Sequence, residues 1–127
     1  MMKTGTRPPT EPRLSDVATV CLPVGIVSTG WPGVRAKLND FGVRFQRWQA
    51  GAARCILAKR EDGLYAAGIG GVVMSIARQV GKTYLIGCIV FALCLLRPGL
   101  LVLWTAHREK TAGETFRQMQ AFARRKR

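Results

Sequence analysis

Ser75-Ile76-Ala77-Arg78-Gln79-Val80-Gly81-Lys82-Thr83 decides how this chain is read. A glycine, a lysine and a hydroxyl residue stand together where a long apolar run begins. That is the arrangement a triphosphate needs. Backbone N–H groups at a helix start form a cradle, and the helix dipole adds to it. Gly81 lets the backbone approach a phosphate closely. Lys82 carries the bare positive charge that reaches the β- and γ-phosphates. The Thr83 hydroxyl is a Mg²⁺ ligand. The full pattern G-x-x-x-x-G-K-[ST] fails in one place, because the position that calls for its first glycine is Ile76. The tripeptide alone says little, and a chance Gly-Lys-Thr on a solvated helix start is the plain alternative.

The surroundings strengthen the nucleotide reading. Upstream, residues 68–76 are apolar and partly β-branched (Ile69, Val72, Val73, Ile76), which suggests a buried strand. Downstream, residues 82–96 form an apolar stretch that Arg97-Pro98-Gly99 stops. As a helix of about 15 residues it spans roughly 22 Å. Leu100 to Thr105 is a second strand candidate. Thr111 with Glu114 gives a capping pattern, followed by Phe116, Met119 and Ala123 at helical spacing. Strand, loop, helix, strand, helix is a βαβ unit with one more helix. The expected fold class is therefore α/β, a P-loop NTPase-like parallel sheet with helical crossovers, here truncated.

Further out, the pattern is less regular. Val17 to Gly33 carries Pro23, Gly25, Gly30, Pro32 and Gly33 and is expected to be loop. A helix capped by Asn39 or Asp40 is expected to run through Phe45, Trp48, Ala52, Ile56 and Leu57. Arg60-Glu61-Asp62-Gly63 is a turn signal. Residues 1–37 are expected to be a flexible tail and loop, and residues 38–127 the N-terminal part of an ATPase domain.

The chain has 127 residues and is 48% hydrophobic, enough for one core and against wholesale disorder. Twenty Lys and Arg face seven Asp and Glu, a net charge of +13. Such a surplus points to a polyanionic partner, nucleic acid or an anionic membrane surface. The four cysteines form no CxxC pair and His107 is the sole histidine, which argues against structural zinc. No secretory signal is visible, so the cytoplasm is the expected compartment.

The missing first glycine is itself informative. Ser75 to Thr83 resembles the deviant phosphate loop of tailed-phage large terminase subunits, which carry Arg-Gln ahead of x-Gly-Lys-Ser/Thr. Leu103-Trp104-Thr105-Ala106-His107 looks like the second strand of the same ATPase core. Phe41-Gly-Val-Arg-Phe-Gln-Arg-Trp-Gln49 looks like its adenine-contacting segment. The resemblance covers residues 38–123. It implies ATP and Mg²⁺ as cofactors, with Gln49 on the adenine edge. Ser75, Arg78, Gln79, Val80, Gly81, Lys82 and Thr83 would surround the phosphates, with Thr83 on the metal. Arg78 would point at the γ-phosphate as the catalytic residue, adding charge where negative charge develops. A helix-surface Gln49 and a solvated Arg78 are the alternatives. Trp48 reads as core, and His107 as structural rather than catalytic. The implied partners are double-stranded DNA, the phage portal and a small terminase subunit. The implied assembly is a homo-oligomeric ring without a membrane, in the cytoplasm of a phage-infected or lysogenic bacterial host.

The remaining machinery of such a motor is not found. Downstream of Lys82 the acids are Glu109 and Glu114, and neither ends an apolar strand as a Walker B acid would. The carboxylate cluster of the family's nuclease is also missing. The expectation is a truncated or split gene product that binds nucleotide without turning it over. Three other classes remain open. One is a small basic membrane protein spanning at residues 84–104. The others are another P-loop motor, such as a helicase-like ATPase, and a basic nucleic-acid-binding module.

Overall fold

The computed structural model describes residues 11–68, 70–76 and 81–105, together with Gly113, Glu114, Arg117, Gln120, Ala121 and Arg124. The elements run in the order α1 (Leu14–Val17), β1 (Ile26–Thr29), α2 (Trp31–Asp40), α3 (Arg47–Ile56), β2 (Ala58–Arg60) and α4 (Lys82–Leu96).

The segment expected to be loop, Val17 to Gly33, contains β1 and the start of α2. Gly30 is the N-cap of α2 and Pro32 sits in its first turn, where a missing N–H costs nothing. Thr29 Oγ1 accepts from the Trp31 N–H (3.3 Å) and donates to the Arg54 carbonyl (2.8 Å). The proline and glycine that suggested loop are thus the start signals of a helix.

A second correction concerns the helix expected from Asn39 or Asp40 onward. Asn39 and Asp40 end α2 instead of starting a helix, and the helix through Trp48, Ala52 and Ile56 is α3, which begins at Arg47 after a turn that contains Phe45. Gly42 stands at φ +75°, a backbone region that costs an L side chain energy. The Gly42 N–H donates to the Asn39 carbonyl and the Val43 N–H to the Leu38 carbonyl, each at 3.0 Å. This is the Schellman pair of bonds that closes a helix. Leu38 and Val43 are both buried there and provide its apolar contact.

β1 and β2 are antiparallel, with Ile26 opposite Arg60, Ser28 opposite Lys59 and Thr29 opposite Ala58. The Gly30 N–H extends the ladder to the Leu57 carbonyl (2.9 Å). The turn expected at Arg60–Gly63 forms, with the Gly63 N–H on the Arg60 carbonyl (2.9 Å). The chain then folds back along β2, where Arg60 N–H donates to Leu64 O and Ala66 N–H to Ala58 O.

Among the described residues this antiparallel pair is the whole sheet. Residues 68–76 and 100–105, both expected to be strands, carry no strand at their described positions. A strand exists only when a neighbour takes its backbone N–H and C=O groups. Gly71, at φ +72°, also bends the chain, with its N–H on the Ala67 carbonyl. Of the expected C-terminal helix, Gly113, Glu114, Arg117, Gln120, Ala121 and Arg124 are helical, while Thr111, Phe116, Met119 and Ala123, like His107, lie outside the described residues.

The core is helical. Trp31, Val34 and Leu38 repeat at helical spacing on α2 and face Leu85, Cys88, Ile89 and Ala92 of α4. Ala52, Ala53 and Leu57 close the third side from α3. On α1, the Arg13 N–H donates to Asp16 (2.9 Å) and holds that exposed carboxyl below its usual range. α4 ends at Leu96, where the Arg97-Pro98-Gly99 signal was read. No helix among the described residues is long and apolar enough to cross a membrane.

Candidate functional site

The site is built at the N-terminus of α4. Gly81 is its N-cap, at φ +102° in the left-handed region. It supplies no capping side chain, and the first turn of α4 holds no carboxylate. The leading N–H groups of a helix carry partial positive charge, and nothing acidic on this turn offsets it. Lys82 is half-buried beside them and Thr83 is exposed.

Gln49 comes to this point from the third position of α3. Among the described residues it is the one buried polar side chain, 5% exposed. Its Oε1 accepts from the Gln46 N–H (2.9 Å), the return limb of a capping box that opens α3. Its Nε2 donates to the Gly81 carbonyl (3.2 Å). That carbonyl also accepts the Leu85 N–H (3.0 Å), the first bond inside α4. Gln46 Oε1 in turn accepts from the Trp48 indole N–H (3.0 Å). A buried amide must spend both ends, and Gln49 does so by tying the start of one helix to the start of another.

Gly81 is required here twice over. Its φ disfavours any side chain, and a Cβ would stand 2.7 Å from Gln49 Nε2. The Trp48 ring lies on the same spot, 3.9 Å from that Cβ position.

Ser75 and Ile76 lead toward the junction and line a cavity of about 220 Å³ with Trp48, Ala52, Ile56 and Leu22. Ser75 is exposed. Cys55 lies on the same wall, and burial raises its thiol above the usual pKa. Arg78, Gln79 and Val80 lie outside the described residues. The structure therefore brings Gln49 and Gly81 into contact, with Lys82 and Thr83 next in the chain. Two site features had not been read from the sequence. Gln46 holds Gln49, and the Gln-x-x-Gln spacing is the signal that could have shown it. Tyr84 meets Phe45 edge-on, ring centres 6.0 Å apart.

Among the described residues, no group of three or more His, Cys, Asp or Glu is placed to hold a metal ion. The chain matches no protein-family model, no curated protein and no solved structure.

Proposed function

We propose that the chain is the ATP-binding front portion of a DNA-packaging motor of the large-terminase type, with a P-loop-like parallel sheet as its fold plan. The observation that carries this is the Gln49–Gly81 contact (3.2 Å). The two residues lie far apart in the chain and were singled out for the two ends of one nucleotide, the base and the phosphates. Their contact sets the segment that resembles an adenine-contacting one against the uncapped helix start that would hold the phosphates, with Gln49 itself spent on the junction. Lys82 would balance the β- and γ-phosphate charge. Thr83 would give Mg²⁺ one oxygen, which suffices in kind, because Mg²⁺ takes its other ligands from phosphates and water. The ion would supply charge neutralisation on those phosphates.

In this reading, residues 71–76 and 101–105, which carry no strand here, would become the strands on either side of α4 when given backbone partners. What supports this is their apolar, partly β-branched composition, which suits a sheet interior. Double-stranded DNA, a portal and a small terminase subunit are the partners of such a motor, and a homo-oligomeric ring is its assembly.

The test is equilibrium binding of a fluorescent ATP analogue with Mg²⁺ to the chain and to Lys82→Ala. Saturable binding lost by tenfold or more in the variant supports the site. Equal binding by both, or none by a chain shown to be folded, removes it.

A further inference from the structure

We infer that Gln49 is a positioning residue that aims the phosphate-binding peptide of α4 and does not read the base, so that the site takes the triphosphate chain of any nucleoside triphosphate, ATP and GTP alike. This rests on the nucleotide reading above. A glutamine recognises adenine by offering its amide oxygen and nitrogen side by side to the base edge. Here both are taken by backbone, Oε1 by the Gln46 N–H (2.9 Å) and Nε2 by the Gly81 carbonyl (3.2 Å). The side chain is buried as well. Turning it toward a base would leave the Gln46 N–H without its acceptor and take a donor from the Gly81 carbonyl. The neighbouring Trp48 does not offer a replacement, since its indole N–H is on Gln46 Oε1 (3.0 Å).

What the amide does control is the direction of one peptide. The Gly81 carbonyl receives two donors, Gln49 Nε2 and the Leu85 N–H (3.0 Å), and so points back along α4. The peptide that joins Gly81 to Lys82 is trans and planar. Its N–H, that of Lys82, therefore points the opposite way, off the end of the helix, where an anion is met. Gly81 is held at φ +102°, and a Cβ in its place would lie 2.7 Å from Gln49 Nε2. The amide thus fits directly against the glycine and fixes its peptide from the side.

Without Gln49, the Gly81 carbonyl keeps one of its two donors and the peptide is free to turn. The phosphate-binding shape is then only part of the population. Apparent affinity falls by that fraction for every ligand that uses the peptide. A base-reading residue behaves differently. Its removal weakens the nucleotide that carries the base and leaves a bare triphosphate untouched.

The experiment is titration calorimetry of ATP, GTP and inorganic tripolyphosphate, each with Mg²⁺, into the full chain and its variants. Gln49→Met keeps the side-chain volume and removes the amide. Gln49→Glu and Lys82→Ala are the companions, and thermal melts verify that each variant folds. The wild-type chain is expected to bind ATP and GTP within about threefold of each other, and Gln49→Met to weaken every ligand by one common factor of about tenfold, as for a buried acceptor left without its donor. Gln49→Glu gives a readout that general loosening does not move. Its ionised carboxylate cannot donate to the Gly81 carbonyl, its protonated form can, and burial raises its pKa. From about pH 8 down to about pH 5, its tripolyphosphate affinity relative to wild type should climb from below that of Gln49→Met to above it. A loss confined to ATP would overturn the inference. So would wild-type affinity for tripolyphosphate in Gln49→Met, or a Gln49→Glu variant that never exceeds Gln49→Met. Binding that Lys82→Ala does not weaken, or none by the folded wild-type chain, would instead remove the nucleotide site itself and this inference with it.

Discussion

At Gly81, backbone and side-chain constraints fall on one atom that is not there. Gly81→Ala would force a Cβ into a left-handed residue and toward the Gln49 amide at 2.7 Å. The conformational part alone costs about 1–2 kcal/mol. The expected outcome is a lower urea midpoint by that amount or more, with weaker ATP-analogue binding. Part of the loss should disappear when Gln49→Ala is already present, because the clash partner is gone. An unchanged midpoint would mean the junction yields freely. Gly81, Lys82, Thr83 and Gln49 were legible as a set because each residue type suits one part of ATP. Their contact was not legible, since no local pattern tells a buried glutamine which carbonyl it will find far along the chain. Gln46 escaped notice because capping boxes usually start with Ser or Thr, and here the N-cap residue is a glutamine whose backbone N–H Gln49 takes.

α4 is apolar all round in sequence, and packing selects the face that it buries. Leu85, Cys88, Ile89 and Ala92 lie on one face and are buried, while Leu95 and Leu96 at its end are half exposed. Leu85 is fully enclosed, so Leu85→Ala should cost about 2–5 kcal/mol by lost transfer energy and the cavity left behind. Leu101→Ala, at a side chain 80% exposed, should change stability by less than about 0.5 kcal/mol. Chemical denaturation distinguishes the two. A similar cost at both positions would mean residues 101–105 are packed. The limits of α4 could be read in advance because Arg97-Pro98-Gly99 is unfavourable to a helix. The division between α2 and α3 could not. Apolar spacing continues across it, and the break depends on Gly42 taking the left-handed conformation.

For the whole molecule, the decisive contrast is between a small, closed helical core and long apolar segments outside it. Val72, Val73, Leu101 and Leu103 all face solvent in segments without strand structure. Sequence patterning marked these segments as sheet interior, and composition supports that. Pairing, however, is a property of two segments and cannot be read from one. Such surfaces favour association. The paired change Val73→Lys/Leu103→Lys should leave the melting temperature nearly unchanged and reduce self-association in sedimentation velocity. A large fall in melting temperature would mean those side chains support the core.

The antiparallel clasp of β1 and β2 also has a kinetic meaning. Ile26 and Arg60 meet across the full length of α2, the turn and α3. Helices of this size form in about a microsecond or less, because each bond joins near neighbours. The clasp instead has to bring distant chain together, and such closure slows as sequence separation grows. The speed at which this protein reaches its native state is therefore expected to depend on its distant closures, the clasp and the packing of α2 on α4, rather than on forming the helices themselves.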